Sequence, residues 1–349
     1  MKTAYFLSGI ALLFLFISCK PDFDLNAPYQ DVPVVYGILN YKDSIHYVKI
    51  YKGFQSHGGV SLDAQNPDSI YYYDQITAVL QEYKDNQRTA RQPIPLYTTN
   101  VFPRDSGFFY YDKDKMIYYT TEPLSKDYVY KIVITHLSGK ITEGKTPMVG
   151  AFNIVELPQE LDMTTKYGKN QFLKFSQATN AADYEIHVNF LYFEVNKKTN
   201  KVVYEGKIVK NITPHLGETF KINGNYIEKT FPKTYYSDIA GKLSSNPNVT
   251  RYIGTPKKPG ICIEIEAWAA DTSLCKFLKS NEPTSSFQQV NIIYSNLKTS
   301  EGLAFGFFSS RFKAPVITAS VGRASEDSLI TGSKTRHLGF RYYTEYVPE

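Results

Sequence analysis

Cys19 is the residue whose chemistry the sequence indicates most plainly. It ends the tetrad Phe16-Ile17-Ser18-Cys19, directly after a small residue. The positively charged Lys2 and an apolar run over residues 4–17 come before it, an order typical of a secretory signal peptide. The run is shorter than the roughly 20 apolar residues that a membrane-spanning helix needs. We therefore predict a signal peptide over residues 1–18, with Cys19 as the acylated first residue of a lipoprotein held on a membrane by its acyl chains.

The residues around Cys19 also suggest which membrane surface carries the protein. The tetrad resembles a bacterial lipobox, with Phe16 in the place of the usual leucine. Lys20 and the acidic stretch Asp22-Phe23-Asp24 follow, and this arrangement resembles the export signal of Bacteroidota lipoproteins. A solvated linker without a signal is the alternative. We expect an outer-membrane lipoprotein that faces the cell exterior, with residues 19–32 as its tether.

Two glutamates have the spacing that carboxylate catalysis would require. Residues 261–269 alternate, which predicts a strand with Ile261, Ile263, Ile265 and Ala267 facing the core. Glu264 and Glu266 lie two residues apart in this strand, so both side chains share its other face with Cys262 and Trp268. Glycoside hydrolysis uses such a pair of carboxyl groups. Glutamates that alternate along an exposed strand are the commoner explanation, and we favour it.

Other catalytic and metal-binding patterns are missing from the sequence. The six histidines do not have zinc-ligand spacing, and neither a G-x-S-x-G elbow nor a phosphate-binding glycine loop is present. We therefore assign no catalytic residue, no metal site and no cofactor. The histidines are His46, His57, His136, His187, His215 and His337.

Two cysteines remain once Cys19 is acylated. Cys262 and Cys275 could form a disulfide, since export leads to an oxidising compartment. They could equally be two buried thiols, which behave as small apolar side chains. The sequence leaves both alternatives open.

Tyrosine is unusually frequent, with 29 copies, and often occurs in adjacent pairs or triplets. Adjacent residues of a strand point to opposite faces, so one ring of each pair must turn away from the core. Tyrosine is also enriched at interfaces. We predict a partner-binding surface at Tyr71, Tyr72 and Tyr73, with packing of the sheet as the alternative.

Length and charge restrict the class of protein. The residues after position 18 suffice for about two domains. The net charge of +5 is spread along the chain without a run of five basic residues, so we expect no nucleic-acid partner.

The elements that would position these residues are mainly strands. Short alternating segments with turns between them predict an immunoglobulin-like β-sandwich over residues 33–147, with a long surface loop over residues 53–70. A larger β domain follows over residues 148–349, with short helical insertions. Its longest strand is predicted over residues 183–195, with the apolar residues at 184, 186, 188, 190 and 192 on the inner face, and residues 202–209 are predicted to return as its hairpin partner. One insertion is expected after Pro232, and a second is expected where Asp271 or Thr272 can cap a helix.

The order of several segments resembles an uncharacterised family of Bacteroidota lipoproteins, the DUF4249-like kind. The segments are Val34-Val35-Tyr36-Gly37-Ile38-Leu39, Glu266-Ala267-Trp268, Phe277-Leu278, Val290-Asn291-Ile292 and Gly302-Leu303-Ala304-Phe305-Gly306-Phe307-Phe308. The family usually has VVEGWI at its first strand, whereas this chain lacks that glutamate and tryptophan. Members often occur beside TonB-dependent outer-membrane transporters, so the resemblance implies such a transporter as a partner. It implies no catalytic residues.

These observations favour a non-enzymatic surface lipoprotein that binds a ligand or docks to a transporter. A surface hydrolase acting on glycans is the first alternative. A structural or adhesive envelope protein is the second.

Overall fold

The computed structural model describes residues 29–53, 66–100, 116–157, 160–162, 172–211, 221–223, 226–230, 235–281 and 294–348. The predicted signal peptide, Cys19, Lys20 and the Asp22-Phe23-Asp24 stretch lie outside these residues. The Val290-Asn291-Ile292 segment of the family resemblance also lies outside them.

The protein is mainly β with a few short helices, as predicted. The strands up to residue 147 are β1 (Pro33–Leu39), β2 (His46–Lys52), β3 (Ile76–Lys84), β4 (Gln87–Arg88), β5 (Ile94–Pro95), β6 (Tyr97–Thr99), β7 (Ile117–Thr120), β8 (Val129–His136) and β9 (Ile141–Pro147). The later strands are β10 (Ile154–Glu156), β11 (Glu160–Leu161), β12 (Phe172–Ser176), β13 (Asp183–Asn196), β14 (Val202–Asn211), β15 (Lys221–Asn223), β16 (Tyr226–Thr230), β17 (Val249–Thr255), β18 (Lys258–Pro259), β19 (Ile261–Ala270), β20 (Leu297–Thr299), β21 (Phe305–Lys313) and β22 (Ile317–Val321). The α-helices are α1 (Pro67–Ile70), α2 (Tyr235–Lys242), α3 (Thr272–Ser280) and α4 (Arg323–Thr331), and single 3₁₀ turns lie at Tyr73–Gln75, Arg336–Leu338 and Tyr343–Glu345.

The N-terminal part is a β-sandwich with a closed apolar core. One layer is a six-stranded sheet in the order β20-β9-β8-β3-β4, with β5 beside β3. The other layer is the β21-β1-β2-β7-β6 part of a twelve-stranded sheet. Alternate residues of both layers meet in one core that includes Val35, Ile50, Leu80, Ile132 and Phe308. This period of two is what a strand produces when one face is buried.

The second part uses the rest of the twelve-stranded sheet. Its inner face is covered by the four-stranded sheet β10-β12-β16-β15 and by α2 and α4. Phe190 and Ile265 of the large sheet share this core with Phe175, Ile239 and Leu329 of the covering elements. On the opposite face, β13, β19 and β21 carry polar and charged side chains that include Asn189, Glu264 and Lys313.

The two parts are joined through continuous strand pairing. β1 pairs in parallel with β21, and β21 pairs with β19. Gly306 of β21 has φ +96°, and a Cβ atom there would overlap the carbonyl oxygen of Val35. Only glycine fits this close approach, so the contact between the two ends of the chain depends on it.

Core membership changes between Met148 and Val149, next to the boundary expected from the sequence. The sheet does not follow that boundary, because Leu297 and Phe308 from the C-terminal segment complete the N-terminal core. A division of the chain at residue 147 would therefore remove two strands from the sandwich.

The helices after Pro232 and at Asp271 are present as α2 and α3. Two helices were not predicted. α1 lies in a segment expected to be a loop, and α4 carries few apolar residues and begins at Gly322 without a side-chain cap. None of the helices in the described part of the chain is long and apolar enough to cross a membrane.

Candidate functional site

The outer face of strand β19 carries the chain's single tryptophan. Ile263, Ile265 and Ala267 point into the core and are fully buried, whereas Glu264, Glu266 and Trp268 alternate with them and are half-buried. The sequence predicted this division of the strand. Cys262 was expected on the outer face but lies in the core, because the register of β19 shifts between Ile261 and Ile263.

Neighbouring strands bring further polar residues to the same face. In the β13–β19 register, Glu185 lies opposite Trp268, His187 opposite Glu266, and Asn189 opposite Glu264. β14 contributes a lysine from one side, and β21 contributes another from the other side. We call this set the Trp268 face; it consists of Glu185, His187, Asn189, Lys207, Glu264, Glu266, Trp268 and Lys313.

Two lysines hold the two glutamates. The Lys207 ammonium lies 2.7 Å from a Glu264 oxygen and 2.9 Å from a Glu266 oxygen. The Lys313 ammonium lies 2.7 Å from the other Glu266 oxygen. The hydrogen bond from Lys313, reinforced by Lys207 and Asn189, lowers the pKa of Glu266 to about 2, although partial burial opposes the shift.

Asn189 lies beneath these carboxylates and is fully buried. Its amide nitrogen donates to Glu264 at 3.1 Å and to Glu266 at 2.9 Å. Its side-chain oxygen has no hydrogen-bond partner among the described residues. The amide therefore fixes both glutamates from below.

Trp268 stands beside this network rather than inside it. The Lys313 ammonium lies 4.9 Å from the centre of its ring, within the range of a cation–π contact. The His187 ring meets the indole edge-on at 5.0 Å, and a His187 nitrogen lies 2.7 Å from Glu185. Lys313 and Glu185 expose 42% and 50% of their side chains, so solvent reaches the rim around the tryptophan.

Two aromatic clusters flank this part of the sheet. Phe277 of α3 packs on Phe307 with ring centres 4.3 Å apart, and Tyr36 meets both rings edge-on. At the other end, Phe193 stacks on Tyr252 with ring centres 5.4 Å apart, and the Tyr346 ring meets Phe193 edge-on. The Trp268 face therefore lies on a sheet that is packed at both ends.

The arrangement does not suit acid–base chemistry. A general acid must hold a proton near neutral pH, whereas Glu266, with a pKa of about 2, stays ionised. Both glutamates are already bonded to the same ammonium. No cluster of three or more histidine, cysteine or acidic groups that could hold a metal ion occurs in the residues that the structure describes.

The partner surface predicted at the tyrosine triplet is wrong for two of its three members. Tyr71 and Tyr72 are only 1% and 2% exposed. Residues at the start of the sandwich pack against Tyr72, whose hydroxyl donates to Asp31 at 2.5 Å and whose ring meets His136 edge-on. Packing, the alternative weighed for this triplet, accounts for both rings.

Tyr73 differs from its neighbours, because it is half-buried and has a left-handed backbone with φ 50°. It borders a cavity of about 310 Å³ together with Thr98, Thr99, Asn100 and Met116. None of these five residues carries a carboxylate or an imidazole.

The two cysteines are free thiols in the structure. Cys262 is fully buried at the start of β19, and the Cys275 thiol lies 3.8 Å from the Ala270 carbonyl at the strand's other end. Eight residues of strand separate these ends by roughly 26 Å, far beyond the reach of a disulfide. Burial raises the pKa of both thiols to about 12.

The described histidines occupy separate places. His46 and His136 are buried in the sandwich, His187 belongs to the Trp268 face, and His337 lies in a 3₁₀ turn near the C-terminus. His57 and His215 lie outside the described residues.

Comparisons with known proteins give little further information. No family model and no curated protein matches the chain. Among solved structures, it is similar to the C-terminal globular domain of an oligosaccharyltransferase from Pyrococcus abyssi, with a TM-score of 0.25 and 12% identity over 82% of this chain. The match covers 46% of that structure's own chain.

Sequence reasoning found Glu264, Glu266 and Trp268 but missed Glu185, His187, Asn189 and both lysines. The three β13 residues could have been found, because they alternate with the apolar residues that were assigned to the inner face. Lys207 and Lys313 carried no such signal, since their proximity depends on how β14 and β21 pair.

Proposed function

We propose that this protein is a lipid-anchored outer-membrane protein that binds an envelope partner without catalysing a reaction, and that the Trp268 face is its binding surface. The observation that carries the proposal is the position of the tryptophan. A partly exposed indole lies among solvent-accessible charged groups on the outer face of the large sheet. Tryptophan is enriched among the residues that dominate binding energy at interfaces.

The charges around Trp268 support a binding role. Glu266 and Glu264 are paired with Lys207 and Lys313 before any partner arrives, so the face is pre-arranged. Binding of a partner would gain free energy from contact with the indole and from hydrogen bonds that the partner forms with the charged side chains at the rim. Rigid sites built on strands hold such groups more precisely than loops do.

The proposed partner is a protein of the outer membrane, and a TonB-dependent transporter is our first candidate. The family resemblance and the predicted acyl anchor at Cys19 support this candidate. The glycan hydrolase alternative has less support, because both glutamates are already bonded to the Lys207 ammonium and the pKa of Glu266 is lowered to about 2.

Capture from the native membrane tests the proposal. The full chain, with its anchor intact, is expected to retain an outer-membrane protein after mild detergent extraction. Trp268→Ala should lose most of this capture, since it removes the central aromatic contact. Tyr97→Ala is the matched control, because Tyr97 is an aromatic residue 59% exposed on the N-terminal sandwich. Equal capture by both variants would remove the Trp268 face from the proposal, and absence of any captured protein would count against the binding role.

A further inference from the structure

Strand β14 forms one edge of the large sheet. Nine of its ten residues pair with β13, the register shifts so that Val203 has no paired residue there, and no other described strand lies beside β14. It exposes apolar side chains to an unusual degree for an edge, with Val203 at 54%, Tyr204 at 52% and Val209 at 41%. Long apolar edge strands are sites where another strand can add to the sheet.

The charges of β14 are complementary to those of a second copy of the same strand. Lys207 lies on the outer face, where it contacts Glu264, and Glu205 is exposed two residues before it. If two β14 strands pair antiparallel about Gly206, each Glu205 lies directly opposite the partner's Lys207. Opposite charges in such cross-strand positions stabilise a pair of strands, and like charges destabilise it.

The neighbouring registers lack this match. A shift of two residues in one direction sets Glu205 against the partner's Glu205, and a shift in the other direction sets Lys207 against the partner's Lys207. A shift of one residue would turn the second sheet over and bury polar side chains on the wrong face. The charge pattern therefore selects the register centred on Gly206.

Gly206 also suits a position on a two-fold axis. The Tyr192 ring occupies the place where a Cβ atom of residue 206 would lie, so this position presents backbone only.

We infer that the protein self-associates through β14, with a second copy of this chain paired antiparallel over residues 204–208. This contact is isologous, because the same patch is used on both copies. The Trp268 face would then extend without interruption across two protomers. Since one strand pair buries a small area, the dimer should be weak in solution and favoured where an anchor concentrates the chains.

Charge-reversed variants of the full chain, purified in detergent, test the inference. Glu205→Lys sets two lysines against two lysines in a self-pair, and Lys207→Glu sets glutamates against glutamates. Each variant alone should sediment as a monomer at concentrations where the unchanged chain shows a dimer. A mixture of the two should restore the dimer, because both cross-strand positions then carry opposite charges. Glu301→Lys, which reverses an exposed acid away from β14, should leave the dimer unchanged.

Cysteine cross-linking provides a second test that does not depend on the folding of Lys207→Glu. Glu205→Cys mixed with Lys207→Cys should give a disulfide-linked dimer under mild oxidation, beyond the background of the unchanged chain. Each cysteine variant alone should cross-link far less, because residue 205 does not face residue 205 in the proposed register. Equal cross-linking in all three samples, or none in any, would overturn the inference.

Discussion

Glu266 and Asp271 lie five residues apart along the chain, but in opposite surroundings. The Glu266 carboxylate forms ion pairs with two lysines at a solvent-accessible rim. Asp271 is 1% exposed and is held by hydroxyl and backbone groups: Thr146 donates at 2.7 Å, Leu274 donates its N–H at 3.0 Å, and Ser309 donates as well. One carboxylate belongs to a surface and the other to the joint between the two cores.

The difference lies in where the donors come from. Thr146 ends the N-terminal sandwich, Leu274 lies in α3, and Ser309 lies in β21, so Asp271 connects three separate segments. Ser310 adds to this joint by accepting the Val149 N–H at 3.0 Å and donating to the Pro147 carbonyl at 2.6 Å. The joint is satisfied internally, whereas the Trp268 face keeps charged groups that a partner can reach.

The largest effect on stability should come from the strand pairing beside the joint. Gly306→Ala introduces a Cβ atom against the Val35 carbonyl, so β1 and β21 must separate; we expect a loss of ~4 kcal/mol or failure to fold. Gly302→Ala is the control, because Gly302 also has a positive φ but has open space around it. Its loss should be ~1–2 kcal/mol, the cost of the left-handed conformation alone. Urea unfolding of both variants checks this; equal losses would contradict the role given to the close approach.

A smaller but still large effect is expected at Asp271. Asp271→Ala removes the cap of α3, the acceptor of the buried Ser309 hydroxyl and one of the two acceptors of the Thr146 hydroxyl; we expect a loss of ~3 kcal/mol. Asp271→Asn retains an acceptor for the helix N–H and should lose less. The free energy of unfolding of both variants is the measurement. If the two substitutions cost the same, the acceptor that asparagine retains for the helix N–H would not contribute to the stability of the joint.

The smallest effect on stability should come from Glu266 at neutral pH. Glu266→Gln should cost ~0.5–1 kcal/mol, because exposed ion pairs contribute little. The pH dependence should change more clearly. The folded-state pKa of Glu266 lies near 2, below the ordinary value of 4.5, so its contribution is present above pH 4.5 and is lost as the pH falls towards 2.

Urea unfolding at several pH values between 7 and 2 checks this prediction. Glu266→Gln should lose less stability on acidification than the unchanged chain, whereas Glu301→Gln should follow the unchanged chain. If the free energy of unfolding falls with pH in the same way for all three proteins, Glu266 is not held by its lysines in solution.

Local patterns were sufficient to predict much of this structure. Alternation along residues 261–269 placed Glu264, Glu266 and Trp268 on one face, and the cap at Asp271 with its following apolar residues predicted α3. Both depend on side chains close together in the chain. The β13–β14 hairpin was predicted for the same reason.

Pairing between distant segments could not be predicted in this way. Asn189 and Glu264 meet across 75 residues of chain, and β1 pairs with β21 from the other end of the described chain. Tyr71 and Tyr72 show the same limit. Composition suggested a surface, whereas Tyr72 is buried among contacts with Asp31 and His136, which lie far from it along the chain. The lysines of the Trp268 face were missed because lysine is common on every solvent-exposed strand, so its presence does not mark a site.

The most direct test of the binding role is photo-cross-linking in intact cells from two positions. Glu185 lies opposite Trp268 in the strand register and exposes half of its side chain, and Tyr97 is similarly exposed on the other part of the molecule. A photoreactive residue at position 185 is predicted to form a covalent adduct with an outer-membrane protein, and the same residue at position 97 is not. Adducts of equal yield from both positions, or from neither, would contradict the proposal that the Trp268 face binds a partner.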